Sequence, residues 1–173
     1  MKENTREHLL LFYADEVVAG RVAANETIKI KFEVDINPPA YASFEHKYRL
    51  LPVPYEVKIY DLPSLFAGKI HAVLCRGWKS RVKGRDLYDY VFYLSKGAAV
   101  NRQHLQARLL QSNCVPKDFS CSSENLRALL NERFAQIDYE QAKRDVEPFI
   151  SNSSTLELWS ADFFNQITEG LRV

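Results

Sequence analysis

Cysteine is scarce in this chain: Cys75, Cys114 and Cys121 are the whole complement in 173 residues. Three is an odd number, and no CxxC pair occurs. That argues against a disulfide framework and a zinc knuckle, and it fits a reducing cytoplasm. Long apolar runs are missing too. The opening MKENTREHLLLFYADE has only a short apolar run before an acid pair, too little for a signal-peptide core or a membrane span. Net charge is near zero, with 23 basic against 22 acidic side chains. Bulk electrostatics therefore offer no nucleic-acid or membrane surface, and any basic site must be local. No P-loop, GxGxxG or GxSxG is present, and no repeat or low-complexity tract. His8, His46, His71 and His104 show no metal-ligand spacing.

What the chain does have is apolar and aromatic residues. A 46% apolar content with Phe 10, Tyr 9 and Trp 2 argues for a folded globular chain rather than disorder. In TIKIKFEVDI (27–36), Ile28, Ile30, Phe32, Val34 and Ile36 alternate with charged residues, the pattern of a half-buried strand. Asn37-Pro38-Pro39 ends it, because proline donates no ladder hydrogen bond. PYEVKIYD (54–61) predicts a second strand, while HLLLFYA (8–14) fits a strand or a short helix. From Leu62 onward the periodicity predicts helices at about 62–76, 85–96, 101–112, 122–134, 138–150 and 159–171. Asp61, Asn101, Ser122 and Ser160 stand at their starts. The expected fold is α+β: a small N-terminal sheet over 1–61, then a helical bundle over 62–173, packed as one unit. Two or three strands make a marginal sheet unless helices cover it.

Charges interrupt the most apolar part of the helical half, LFAGKIHAVLCRGWKSRVKGRDLYDYVFYL (65–94). Helical projection sets Lys69 near the middle of an arc formed by Leu62, Leu65, Phe66, Ile70 and Val73, with Arg76 on the same side. A lysine there points into a polar pocket or pairs with a buried carboxylate. Gly68 beside it lets a backbone or ligand approach, at roughly 1 kcal/mol of helix propensity. In the next helix Asp86 and Asp89 share a face with Tyr90 and Tyr93, while Leu87, Val91 and Leu94 form the core stripe. Asp86 fits a helix-start role. Asp89 fits a salt bridge to Arg85 or Arg81 as well as a catalytic role. The loop GWKSRVKGR (77–85) is a solvated basic loop or a phosphate or RNA-backbone contact. Asp35 is a solvent-facing carboxylate, a Mg²⁺ ligand or a general base. Trp78 and Trp159 read as packing residues.

Taken together, IKIKFEVDINPP, VKIYDLPSLFAGKIHAVLCR, KGRDLYDYVFYLSKG, AKRDVEPF and LELWSADFF resemble the nucleotidyltransferase family of AbiEii/AbiGii-type toxins of bacterial toxin–antitoxin and abortive-infection systems. The resemblance runs from about residue 25 to the end. It implies a nucleoside triphosphate and Mg²⁺ as cofactors and nucleotidyl transfer, in some members to tRNA. It also implies a cognate antitoxin as partner. By the same resemblance Asp35 is a metal carboxylate, and Asp35, Lys69 and Asp86 are catalytic. Lys69, Arg76, Arg81, Arg85 and Asp89 then contact the nucleotide. The chain departs from the family pattern before Asp35, where neither a Gly-Ser nor an Asp-x-Asp occurs. Two-metal transfer needs such paired carboxylates. On that ground the chain is expected to be the C-terminal portion of such an enzyme and inactive alone. A non-catalytic nucleotide- or partner-binding module is the alternative, and a helical RNA-binding accessory using the 77–85 loop is a third. An exposed sheet edge would favour a homodimer.

Overall fold

The computed structural model describes residues 5–13, 27–77 and 82–173. The chain forms two compact units, Met1–Pro38 and Pro39–Val173. In the first, β1 (Thr5–Tyr13) pairs antiparallel with β2 (Thr27–Asp35), Thr5 opposite Asp35 and Tyr13 opposite Thr27. The ambiguous apolar run near the start is thus a strand. Val34 and Ile36, on the expected apolar face, are about half exposed, at 49% and 53%.

The second unit opens with another hairpin, β3 (Phe44–Arg49) and β4 (Tyr55–Tyr60). Among the described residues the strands therefore make two two-stranded sheets, β1 with β2 and β3 with β4. β3 escaped the sequence reading although Phe44, His46 and Tyr48 alternate with Glu45, Lys47 and Arg49. The run is only six residues long, and His46 interrupts its apolar face, which hides that period. Its first cross-strand pair, Phe44 and Tyr60, stacks with ring centroids 4.9 Å apart, the kind of contact that stabilises a hairpin. Because β3 and β4 belong to the same compact unit as the helices, the division of the chain falls after Pro38 rather than after Asp61.

Among the described residues six α-helices follow: α1 (Leu62–Cys75), α2 (Gly84–Ser95), α3 (Arg102–Gln111), α4 (Ser123–Ala135), α5 (Tyr139–Val146) and α6 (Ala161–Thr168). Asp61, Asn101, Ser122, Asp138 and Ser160 cap α1, α3, α4, α5 and α6, each side chain accepting a backbone N–H of the first turn. These caps satisfy donors that a helix start otherwise leaves unpaired. The predicted helix over 138–150 breaks into α5 and a 3₁₀ turn, Glu147–Phe149, with Pro148 in that turn, since proline lacks the N–H that would continue the α-helix.

The core gathers Phe66, Ile70, Leu87, Tyr90, Leu105, Leu109, Leu126, Leu130, Phe134 and Phe164, all fully buried. Phe164 sits at its aromatic centre, against Tyr90, Phe134, Tyr139 and Trp159. The packing role expected of Trp159 holds, whereas Trp78 lies outside the described residues. Tyr90 and Tyr93 belong to the core rather than to a polar face. The Tyr90 hydroxyl donates to Thr168 Oγ1 at 2.8 Å, and Thr168 in turn donates to the Phe164 carbonyl. No described helix is long and apolar enough to cross a membrane.

The cysteine expectation is overturned. Cys75, ending α1, and Cys114, shortly after α3, form a disulfide with Cα atoms 5.5 Å apart, within the span such bonds require. Cys121 is free and buried. The odd count concealed the pair because folding, not spacing, brings the two chain segments together. The inference of a reducing compartment from the cysteines falls with it.

Candidate functional site

Helix α1 decides the geometry. Its buried stripe is Phe66, Ala67, Ile70 and Val73, while Leu62 and Leu65 stay 40% and 38% exposed. The apolar arc is therefore rotated from the one the projection centred on Lys69. Lys69 stands at its edge, on the side with Leu65, Gly68, Ala72 and Arg76. That side walls a cleft of about 230 Å³, closed by Tyr60 from β4, Asp86 from α2, and His104 and Arg108 from α3.

Two ion pairs span α1 and α2 at this cleft. Lys69 Nζ donates to Asp89 Oδ2 at 2.5 Å, both side chains remaining more than a third exposed. The salt bridge expected for Asp89 therefore runs to Lys69, and Arg85 is engaged elsewhere. Arg76 Nη1 donates to both oxygens of Asp86, at 3.0 and 2.8 Å. Asp86 is in the first turn of α2 without capping it; the cap residue is Lys83, whose side chain makes no capping bond. Burial pushes the Asp86 carboxyl above its usual range, and the nearby Arg76 and Lys69 charges pull it back. Arg133 of α4 donates to the Val73 and Arg76 carbonyls, closing the end of α1 just where Arg76 leaves it.

On the opposite wall, His104 Nδ1 is 2.8 Å from the Ala40 carbonyl. A carbonyl only accepts, so Nδ1 carries the proton and Nε2 is left to accept from Arg108 Nη1 at 3.4 Å. Burial holds the imidazole below its usual range, in keeping with that neutral form. His71, bonded to Ser112 at 3.0 Å, is pushed down to about 4 by burial and then by the Arg108 and Arg76 charges.

Of the residues singled out from sequence, Lys69, Arg76, Asp86 and Asp89 come together. Arg85 does not join them: it approaches Asp145 at 3.7 Å and lies over the Phe149 ring. Arg81 lies outside the described residues. Asp35 is in the first unit, exposed at the end of β2, where its Oδ1 accepts the Asn37 N–H at 3.0 Å. Sequence reasoning missed His104 and Arg108. Their i,i+4 spacing in RQHLQARLL puts them on one face of α3, but nothing local says that this face meets Gly68.

A family model described as nucleotidyl transferase AbiEii toxin, type IV toxin–antitoxin system, matches residues 2–165. That description implies an antitoxin as partner. No curated protein matches the chain, and no solved structure does.

Proposed function

Because the chain belongs to the nucleotidyl transferase AbiEii toxin family, we propose that the cleft among α1, α2 and α3 binds the triphosphate of a nucleoside triphosphate carried with Mg²⁺. The chemistry of the family would then be nucleotidyl transfer, with RNA as the acceptor class. The observation that carries this reading is the convergence of Lys69, Arg76 and Arg108 on one cleft that only Asp86 among its lining residues opposes. Lys69 is the primary phosphate contact, and Asp86 holds Arg76 in place beside it.

The Lys69–Asp89 pair does not argue against this role. A pair this exposed is worth roughly 0–1 kcal/mol, whereas a charge-assisted hydrogen bond to phosphate is worth about 1.5–3 kcal/mol. A phosphate therefore outcompetes the carboxylate for Lys69.

The residues fit the metal part of the reaction less well. Among the described residues no three His, Cys, Asp or Glu side chains gather into a donor set. Asp35 remains a proposed carboxylate for Mg²⁺, but one exposed carboxylate is short of what two ions need. Asp86 already holds Arg76, and no Gly-Ser or Asp-x-Asp occurs in the 173 residues. The activity that the described residues support is nucleotide binding.

Calorimetry with ATP, GTP, CTP and UTP plus Mg²⁺ tests the reading. Lys69→Ala is expected to weaken binding by about 10-fold or more, the equivalent of one charge-assisted contact. Equal heats for wild type and Lys69→Ala would remove Lys69 from the site. Absence of binding by the wild type favours the second reading, a partner-binding module whose charges serve only to join α1 and α2.

A further inference from the structure

We propose that Arg108 is the second arm of a polyphosphate clamp, positioned by His104, and that the cleft takes the phosphate chain while leaving the nucleoside outside. This rests on the reading of the cleft as the triphosphate site. Arg108 crosses from α3 to α1 at the one position in that wall without a side chain: a Cβ at Gly68 would stand 3.8 Å from its Cζ. The guanidinium is thus laid against α1, in the cleft that Lys69 and Arg76 also line.

Its orientation is set from behind. His104, 1% exposed, donates to the Ala40 carbonyl and offers Nε2 to Arg108. The backbone next to Ala40 is itself pinned, since Asn101 Nδ2 donates to the Tyr41 carbonyl at 2.9 Å and to Ser64 Oγ at 3.0 Å. The Ser43 N–H also donates to Ser64 Oγ, at 3.0 Å. This partly buried polar network, centred on the buried His104 and Ser64, fixes the imidazole tautomer and, through it, the guanidinium. A planar guanidinium suits two phosphate oxygens at once.

Size selects the ligand part. A cleft of about 230 Å³ is smaller than the roughly 300–1,000 Å³ of sites that enclose whole ligands. Its three cationic side chains match a phosphate chain, and a cleft of this size encloses part of a ligand rather than the whole.

The test is calorimetric titration of wild type, Lys69→Ala, Arg108→Ala and Arg108→Lys with orthophosphate, pyrophosphate and tripolyphosphate, with the four nucleoside triphosphates alongside. The wild type is expected to tighten as the chain lengthens and to bind the four nucleotides within about threefold of one another. Arg108→Ala is expected to lose about tenfold on tripolyphosphate, to lose little on orthophosphate, and so to flatten the chain-length preference. A purely structural arginine would not change that preference. Arg108→Lys, which keeps the charge without the fork, falls between, and it decides the matter if Arg108→Ala fails to fold. An unchanged chain-length preference in the arginine variants, with Lys69→Ala impaired, overturns the clamp and leaves the triphosphate reading standing. Strong discrimination among bases also overturns it, and failure of every anion to bind the wild type sinks both.

Discussion

Arg76 meets Asp86 with one nitrogen against both oxygens, from a half-exposed side chain to a carboxylate that is 8% exposed. The asymmetry matters because truncating the arginine leaves a buried anion without its counter-charge. Hydrogen bonds to charged groups contribute about 1.5–3 kcal/mol, so Arg76→Ala is expected to destabilise the fold by that order. The pH dependence has a definite sign. Burial raises the Asp86 carboxyl in the folded state above its ordinary 3.8, so the folded protein prefers the protonated form. Its contribution is most favourable below 3.8 and is lost as pH rises through the folded value. Removing Arg76, which pulls that value down, moves the loss further up in pH. Urea denaturation is thus expected to show a larger deficit for Arg76→Ala at about pH 7 than at about pH 4. Equal deficits would show that the Asp86 charge is not what Arg76 compensates.

Among the elements, α2 and α5 are joined by an unusually close approach at Gly84. A Cβ on this residue would meet the Ala142 carbonyl oxygen at 2.0 Å and Val146 Cγ2 at 2.8 Å. In the sequence Gly84 stands beside Lys83 and Arg85 and looks like part of a flexible basic loop. In the structure it is the first residue of a helix, buried where another helix crosses. Gly84→Ala gains about a few tenths of a kcal/mol of helix propensity at most in a first turn, and overpacking costs about 1–3 kcal/mol. Thermal melts are therefore expected to place Gly84→Ala below the wild type despite alanine's better propensity, and a higher midpoint would mean that α5 yields at no cost. Gly68, also in a helix, differs: its missing Cβ would make only ordinary contact with Arg108.

Over the whole second unit, the disulfide ties the end of α1 to the segment after α3, across a sequence separation of 39. Closing a loop of this length restricts the unfolded chain by about 2–4 kcal/mol in the chain-entropy account. Reduction with a dithiol is expected to lower the melting temperature of the wild type and to leave the Cys75→Ser/Cys114→Ser double variant unmoved. Equal sensitivity in both would show that the Cys75–Cys114 bond is not what the dithiol acts on. The bond also lies next to Arg76, so it holds the end of α1 where that side chain enters the cleft.

The local elements were legible in the chain without its fold. Capping residues at Asp61, Asn101, Ser122 and Ser160 announce four helices because the stabilising bond is made within the first turn. Alternation over 27–36 announces β2 for the same reason: the signal and the structure share one stretch of chain. The charges between Lys69 and Asp89 lie where α1 and α2 pair across the cleft. Long-range packing settles which partner each charge takes, that Arg85 turns to α5, that His104 and Arg108 complete the cleft, and that two of three cysteines bond. Each of these depends on groups 10 or more residues apart, or on a rotation of α1 by a fraction of a turn. Such a rotation is set by how Phe66, Ile70 and Val73 pack against α2, α3 and α4, an energy spread over many contacts and written in no single segment.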